Sequence, residues 1–201
     1  MIKSGDYQYI LLTDGTAELT NYTAYAEFLT VPAQIDGHAV TSIGSEAFIN
    51  SEFLSSIILP DCLTTIGIDA FCGCSFHTSI TLPNSLTSIG NGAFAGCESL
   101  TRSILPSSLT SIEAWAFSGC ESLASITLPG SLTSIGNWAF AGCKSLTSIT
   151  LPNSLIAIEA GTFSDCESLT NITLPNSLTT IGNWAFESCP VSLNFTVVRG
   201  S

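Results

Sequence analysis

The sequence predicts a mainly β fold, a solenoid of stacked rungs that are each 23 residues long. Prolines, phenylalanines and cysteines all recur at this spacing, and apolar and polar residues alternate within each copy, which indicates short strands. The recurring prolines are Pro60, Pro83, Pro106, Pro129, Pro152 and Pro175; the phenylalanines are Phe48, Phe71, Phe94, Phe117, Phe140, Phe163 and Phe186; the cysteines are Cys74, Cys97, Cys120, Cys143, Cys166 and Cys189. Because one rung cannot bury its own apolar face, the copies are expected to stack into one elongated domain.

Residues 1–30 do not follow the repeat and predict an N-terminal β-hairpin cap. Residues 7–13 are rich in strand-forming side chains, Asp14 and Gly15 are a hairpin turn signal, and residues 16–20 provide the returning strand. The end of a solenoid exposes unpaired strand groups and an open core, so a cap is expected there.

Residues 31–190 are the predicted solenoid of about seven rungs. In a regular copy, residues 125–128 alternate between polar and apolar and predict a first strand, which Pro129 ends because proline has no N–H group. Residues 132–135 fit a second short strand. Residues 136–140 fit a tight turn or a single helical turn that leads into the next rung.

Both ends of the repeat region are irregular. Residues 32–43 are longer than the matching part of later copies and contain Asp36 and Gly37, a turn signal that predicts a small hairpin. Residues 191–201 break the spacing and are expected to form a C-terminal strand or cap, with residues 199–201 as a cloning remnant. A last rung that is only partly covered could pair with another molecule.

The charge composition excludes two classes of partner. The chain has a net charge of −12 and only four Lys and Arg residues. Nucleic acids and anionic membrane surfaces are bound by clustered Lys and Arg, so neither is expected as a partner. No apolar run approaches the ~18 residues of a membrane-spanning helix, so no membrane insertion is expected. The first residues also lack the apolar region of a signal peptide.

The consensus of the copies is Leu-x-x-Ile-x-Leu-Pro-x-Ser-Leu-x-x-Ile-Gly-x-x-Ala-Phe-x-x-Cys. This pattern resembles the BspA-type, or Treponema pallidum-type, leucine-rich repeat over residues 31–190. The resemblance implies a leucine-rich-repeat solenoid with short parallel strands. It also implies a cell-surface or secreted protein of a bacterium or mucosal protist, commonly tied to adhesion. It brings no catalytic motif and no cofactor, so the chain is not expected to be an enzyme.

Six of the eight cysteines share one repeat position beside the phenylalanines and are expected to form a stack of buried free thiols. Neighbouring rungs place their Cα atoms within disulfide reach, but side chains in register point in one direction rather than toward each other. The alternative is a thiol redox or metal site centred on Cys72, Cys74 and His77.

Three tryptophans share another repeat position and are the strongest candidates for an interaction surface. They are Trp115, Trp138 and Trp184; other copies have Glu46, Asp69, Gly92 and Gly161 at this position. A position that accepts Glu, Gly and Trp is not expected to be deep core, and exposed tryptophans are enriched at binding hot spots. Trp115 and Trp138 are expected ~5 Å apart on adjacent rungs. Trp184 is separated from this pair by the rung of Gly161 and is expected to contribute less to binding. The alternative for all three tryptophans is partial burial against the neighbouring turn.

The outward face of the first strands is predicted to be a periphery of hydroxyl groups around this tryptophan surface. Its candidate residues are Ser125, Thr127, Ser148 and Thr150. Flat Ser and Thr ladders also resemble those of ice-binding solenoids, but Arg102 and Ile104 interrupt the array, which disfavours that use.

Together these features predict a non-enzymatic adhesion or interaction module that binds a protein or glycan ligand, such as a host surface or matrix component. One alternative is a structural spacer that projects another domain of a larger surface protein. Self-association through the exposed solenoid end is a further expectation.

Overall fold

The computed structural model describes residues 1–74 and 79–191. This part of the chain consists of strands and turns, with no helix, and forms a solenoid of seven rungs. The strands are β1 Ile2–Ser4, β2 Tyr7–Leu11, β3 Ala17–Tyr22, β4 Phe28–Thr30, β5 Gln34–Ile35, β6 His38–Ile43, β7 Ser56–Ile58, β8 Thr65–Ile66, β9 Ser79–Thr81, β10 Ser88–Ile89, β11 Arg102–Ile104, β12 Ser111–Ile112, β13 Ser125–Thr127, β14 Ser134–Ile135, β15 Ser148–Thr150, β16 Ala157–Ile158, β17 Asn171–Thr173 and β18 Thr180–Ile181.

The N-terminal strands form an antiparallel meander that continues into the solenoid. Strands β2 and β3 pair around the turn at Asp14 and Gly15, where the Asp14 carboxylate accepts hydrogen bonds from the Thr16 amide and hydroxyl at 3.0 and 2.7 Å. Strand β1, which the sequence did not predict, pairs with the other edge of β2. Strand β3 pairs in parallel with β6, so the meander covers the open edge of the first rung.

Two parallel ladders run along the solenoid. The first ladder follows β4, β7, β9, β11 and β13 and continues with the pair β15 and β17, and the second follows β6, β8 and β10 and continues with the pairs β12 and β14, and β16 and β18. Successive segments of each ladder lie in contact with each other. Strand β4 lies within the range predicted as the cap, yet it pairs with β7 and so begins the first ladder. The predicted hairpin between β5 and β6 is present, with φ angles of 49° at Asp36 and 87° at Gly37.

A tight turn closes each rung, and its backbone bonds alternate between two kinds of partner. The Trp138 and Phe140 amides each donate to the next rung, to the Ala160 and Thr162 carbonyls at 2.9 Å. The Ala139 amide between them donates back within its own rung, to the Gly136 carbonyl at 3.3 Å, and the Ala141 amide does the same to the Trp138 carbonyl at 3.1 Å. Since half of the amides serve the neighbouring rung, the connection is a turn rather than the single helical turn offered as an alternative.

The core contains a column of stacked phenylalanines, one from each rung. Neighbouring rings lie between 5.1 Å apart, for Phe48 and Phe71, and 5.6 Å apart, for Phe163 and Phe186. The meander extends this column, because Tyr22 lies 5.7 Å from Phe48 and Tyr7 lies 5.1 Å from Tyr22. The cap therefore extends the aromatic column of the solenoid with tilted rings, and it also continues the hydrogen bonding of the strands.

All eight cysteines are free thiols, and the six in the repeat form the predicted stack. Each thiol donates to the carbonyl of the phenylalanine 26 residues earlier, at distances from 2.8 Å for Cys189 to 3.3 Å for Cys143. Burial raises the pKa of the Cys74 and Cys143 thiols to about 12. Cys74 and Cys143 are therefore protonated donors within the core, a role beyond the small apolar one expected from the sequence.

Candidate interaction surface

The three tryptophans have a left-handed backbone, which side chains of their size rarely adopt. The φ angles of Trp115, Trp138 and Trp184 are 56°, 59° and 57°. Gly92 and Gly161 have φ angles of 60° and 62° at the same repeat position. A residue with a Cβ is destabilised by roughly 1–2 kcal/mol in this conformation, and a bulky residue is an outlier there. Glycine is therefore the less strained residue at every one of these positions.

Each rung has a second left-handed position four residues later, and there the residues follow the usual preference. They are glycine or small polar residues: Asn50, Gly73, Gly96, Gly119, Gly142, Asp165 and Ser188. The two positions share a backbone conformation within one rung. Backbone geometry therefore does not explain why tryptophan occupies the first of these positions. The explanation must lie in what the tryptophan side chains contact or bind.

Trp138 and Trp184 form a stacked pair across the rung that lies between them. Their ring centroids are 6.4 Å apart and their planes differ by 28°. The Trp138 indole lies over Gly161, which is buried, and a Cβ added to Gly161 would overlap the six-membered ring of that indole. The missing side chain at Gly161 thus leaves the space in which the two indoles meet.

The expected pairing of Trp115 with Trp138 is wrong. Among the described residues, Trp115 makes no ring contact, although it occupies the rung next to Trp138. The Trp138 side chain leans toward the following rung, where Gly161 leaves space, and so approaches Trp184 instead. The stacked pair therefore includes the tryptophan that was expected to matter least.

All three tryptophans remain accessible to a ligand to different degrees. The side chains of Trp115 and Trp184 are 50% and 60% exposed, and Trp138 is half-buried against Gly161. We call these three residues the aromatic edge. The partial burial that the sequence left open applies to Trp138 more than to its two neighbours.

The hydroxyl face is present, but it lies on a different segment of the rung from the aromatic edge. Ser125, Thr127, Ser148 and Thr150 are all exposed on β13 and β15, whereas the tryptophans lie in the turn after the second strand. On β11, Arg102 pairs in register with Ser125 and the 65% exposed Ile104 with Thr127. The hydroxyl array is interrupted there, as the sequence predicted.

The alternative thiol site is not supported by the thiols that the structure describes. Burial and the nearby Asp69 raise the pKa of Cys72, and burial raises that of Cys74 to about 12. A reactive thiol needs a lowered pKa, because the thiolate is the nucleophile and the metal ligand. His77 lies outside the described residues. Within the described ranges, no group of three His, Cys, Asp or Glu side chains could hold a metal ion.

A cleft beside the first rung was missed by sequence reasoning. It has a volume of about 540 Å³ and is formed by residues 22–26, which begin at the last residue of the meander, and residues 49–54. Its exposed aromatic side chains are Tyr25 and Phe53. One sequence signal was available, because Phe53 and Phe76 stand where the next four copies have serine, as at Ser99.

A family model for the BspA type leucine rich repeat region matches the chain in six copies, over residues 41–154 and 87–199. The chain belongs to this family. A leucine rich repeat protein of Treponema pallidum is 33% identical in sequence and has a TM-score of 0.89, with 94% of this chain and 88% of that one covered. The resemblance read from the repeat consensus is therefore confirmed.

Two further solved structures have the same fold. A leucine-rich repeat protein of Eubacterium ventriosum is 24% identical with a TM-score of 0.79, and 98% of this chain covers 54% of that one. A leucine rich cell surface protein of Faecalibacterium prausnitzii is 25% identical with a TM-score of 0.50, with 96% and 76% covered. A search of curated proteins found no match. In the described part of the chain, no helix is long and apolar enough to cross a membrane.

Proposed function

We propose that this chain is a non-enzymatic interaction module of a cell-surface or secreted protein, and that it binds a protein or glycan ligand through the aromatic edge. The observation that carries the proposal is the left-handed backbone of the tryptophans together with their exposure. The family and the cell-surface relative from Faecalibacterium prausnitzii support the location. The solenoid supplies a rigid scaffold with an extended surface, as repeat proteins commonly do.

The energetic argument compares what each tryptophan contributes to the fold with what its backbone conformation costs. The left-handed conformation is unfavourable by roughly 1–2 kcal/mol per residue. Trp184 is 60% exposed, so only part of its ring area is buried in return. A strained residue that gains little from packing is a candidate for a functional role, and exposed tryptophans often dominate binding energies.

The geometry of the pair suits a flat or mildly curved ligand surface. The two indoles stack with planes that differ by 28°, so the apolar face that they offer a ligand is the ring surface that the stack leaves uncovered. Such a face can pack on apolar side chains of a protein or on the apolar face of a sugar ring, while each indole N–H can serve as a donor. Trp115, one rung before Trp138, extends the same edge of the solenoid.

A panel of purified matrix proteins and surface glycans would test the proposal. We expect saturable binding of at least one panel member, and at least tenfold weaker binding by the double variant Trp138→Gly with Trp184→Gly. Asp69→Gly is the matched control, because it removes a side chain from the same repeat position with the same left-handed backbone, at φ 50°. A blank panel, or equal binding by the double variant, would contradict the proposed function.

A further inference from the structure

The cleft beside the first rung combines concavity with exposed aromatic rings. Tyr25 is 88% exposed and Phe53 is 64% exposed, and their ring centroids lie 5.7 Å apart with planes at 88°. The two rings therefore meet edge to face at the wall of the cleft and leave ring surface uncovered on both sides. Because so much of their ring area is exposed, the two side chains contribute little buried apolar area to the fold.

Carboxylates line the same region. A second concavity of about 320 Å³ shares Tyr25, Glu52 and Phe53 with the cleft and adds Glu27. Glu27 and Glu52 are the charged side chains among the residues that line the two concavities, and within the described ranges neither takes part in an ion pair. The one ion pair among the described residues joins Lys144 to Glu121, which lie elsewhere on the solenoid. The negative charge of this aromatic and acidic region is therefore uncompensated.

We propose that this region, formed by Tyr25, Phe53, Glu27 and Glu52, binds an arginine side chain on a basic segment of a partner protein. A guanidinium group is planar, so it can stack on the face of Tyr25 or Phe53 while its N–H groups donate to the carboxylates of Glu27 and Glu52. Stacking on aromatic rings alone would suit a sugar equally well. The two uncompensated carboxylates favour a cation.

The charge of the whole chain acts in the same direction. With a net charge of −12, the protein attracts basic partners from a distance and repels acidic ones. The cleft would then hold the arginine after this encounter. This site is separate from the aromatic edge, so either site can fail its test without affecting the other.

The probe is a labelled peptide with two arginines separated by Gly and Ser, and its matched control has citrulline in place of each arginine. Citrulline has nearly the same shape as arginine but no charge. We expect the arginine peptide to bind the full chain at least fivefold more tightly than the citrulline peptide. We also expect added salt to weaken binding of the arginine peptide alone. Fluorescence anisotropy at two salt concentrations measures both effects.

Variants of the chain assign the binding to the cleft. Glu52→Gln and Phe53→Ala are each expected to weaken binding of the arginine peptide at least fivefold. Glu167→Gln removes the same charge from another exposed site and is expected to change binding less than twofold. Tyr25→Ala serves as a second test of the rings if Phe53→Ala disturbs the fold, and thermal melting checks each variant.

Three outcomes would overturn the proposal. Equal binding of the arginine and citrulline peptides would show that no cation is recognised. Equal effects of Glu52→Gln and Glu167→Gln would show that the overall charge attracts the peptide without a site. Binding of a neutral oligosaccharide such as maltotetraose, lost in Phe53→Ala, in place of the arginine peptide would identify a sugar site instead.

Discussion

In strand β11 the inward and outward residues are exchanged relative to the neighbouring strands, with a serine facing the core and an isoleucine facing outward. Restoring the usual order is expected to stabilise the fold. Ser103 is 1% exposed at a position where the paired rungs have Ile80 and Ile126. Among the described residues, its hydroxyl group has no hydrogen-bond partner. Ile104, the next residue, is 65% exposed on the outer face. The double change Ser103→Ile with Ile104→Thr restores the pattern of the neighbouring rungs.

The size of the effect follows from the burial of Ser103. Removing a buried hydroxyl group that lacks a partner relieves about 1–3 kcal/mol. Isoleucine adds roughly two to three buried carbon groups at about 0.8 kcal/mol each. Repacking between Ile80 and Ile126 opposes this gain by about 1 kcal/mol or more if the site is already tight. We therefore expect the free energy of unfolding to rise by about 2–4 kcal/mol.

Equilibrium unfolding in urea measures the change, with Ile104→Thr alone as the control. The control changes an exposed residue and is expected to shift the free energy of unfolding by less than about 0.5 kcal/mol. The double variant should unfold at a higher urea concentration with an unchanged m value. Destabilisation by the double variant would show that the core has closed around Ser103 and has no room for isoleucine, which refutes the reasoning.

Three further predictions concern the core. Phe140→Ala should lower the free energy of unfolding by about 3–5 kcal/mol, because Phe140 is fully buried between Phe117 and Phe163; a loss below about 1 kcal/mol in urea unfolding would contradict this. Stability should fall as the pH rises above 9, since the Cys74 and Cys143 thiols ionise near their ordinary pKa of 9.0 in the unfolded chain but only at about 12 in the fold. The slope is about 1.4 kcal/mol per pH unit for each thiol, and unfolding from pH 8 to 11 would give a shallower slope for Cys143→Ala. Alkylation without reductant should count at least six free thiols after unfolding but find the buried ones unreactive in the native state, whereas a fully oxidised chain would contradict the thiol stack.

The repeat made the solenoid predictable because equivalent residues of every copy occupy the same structural environment. Pro129 and its counterparts mark the strand ends, and the phenylalanines and cysteines mark positions that face the core. The contact of Tyr22 with Phe48, and of Tyr7 with Tyr22, could not be found in this way, because both tyrosines precede the repeat. Their position depends on how β2 and β3 pair with the first rung, which is a tertiary contact.

The tryptophan position was predicted not to be deep core, and Trp115 and Trp184 are exposed there, but the reason given was incomplete. Exposure accounts for Glu, Gly and Trp occurring together, yet the shared property is the left-handed backbone. A single copy of the repeat does not reveal a φ angle, although the glycines at Gly92 and Gly161 are compatible with one. The pairing of Trp138 with Trp184 also depends on the direction in which one side chain leans. Spacing along the chain does not determine that direction.

The hydrogen bonds of the thiols were missed for a similar reason. A cysteine that follows the phenylalanine in six of the seven rungs suggests a small apolar side chain. The Phe94 carbonyl accepts a bond from the Cys97 amide at 3.3 Å and from the Cys120 thiol at 3.2 Å. The second bond links two rungs, so it becomes visible only when the stacking distance and register are known.

The most direct test of the aromatic edge as a binding site is to measure folding and binding together in Trp184→Gly. Trp184 is 60% exposed and has a φ angle of 57°, so glycine relieves strain there and loses little packing. The free energy of unfolding is expected to stay within about 1 kcal/mol of the original value or to rise, while the strongest ligand of the panel binds at least tenfold more weakly. A loss of more than about 2 kcal/mol in stability with binding unchanged would show that the tryptophan serves the fold and not a ligand.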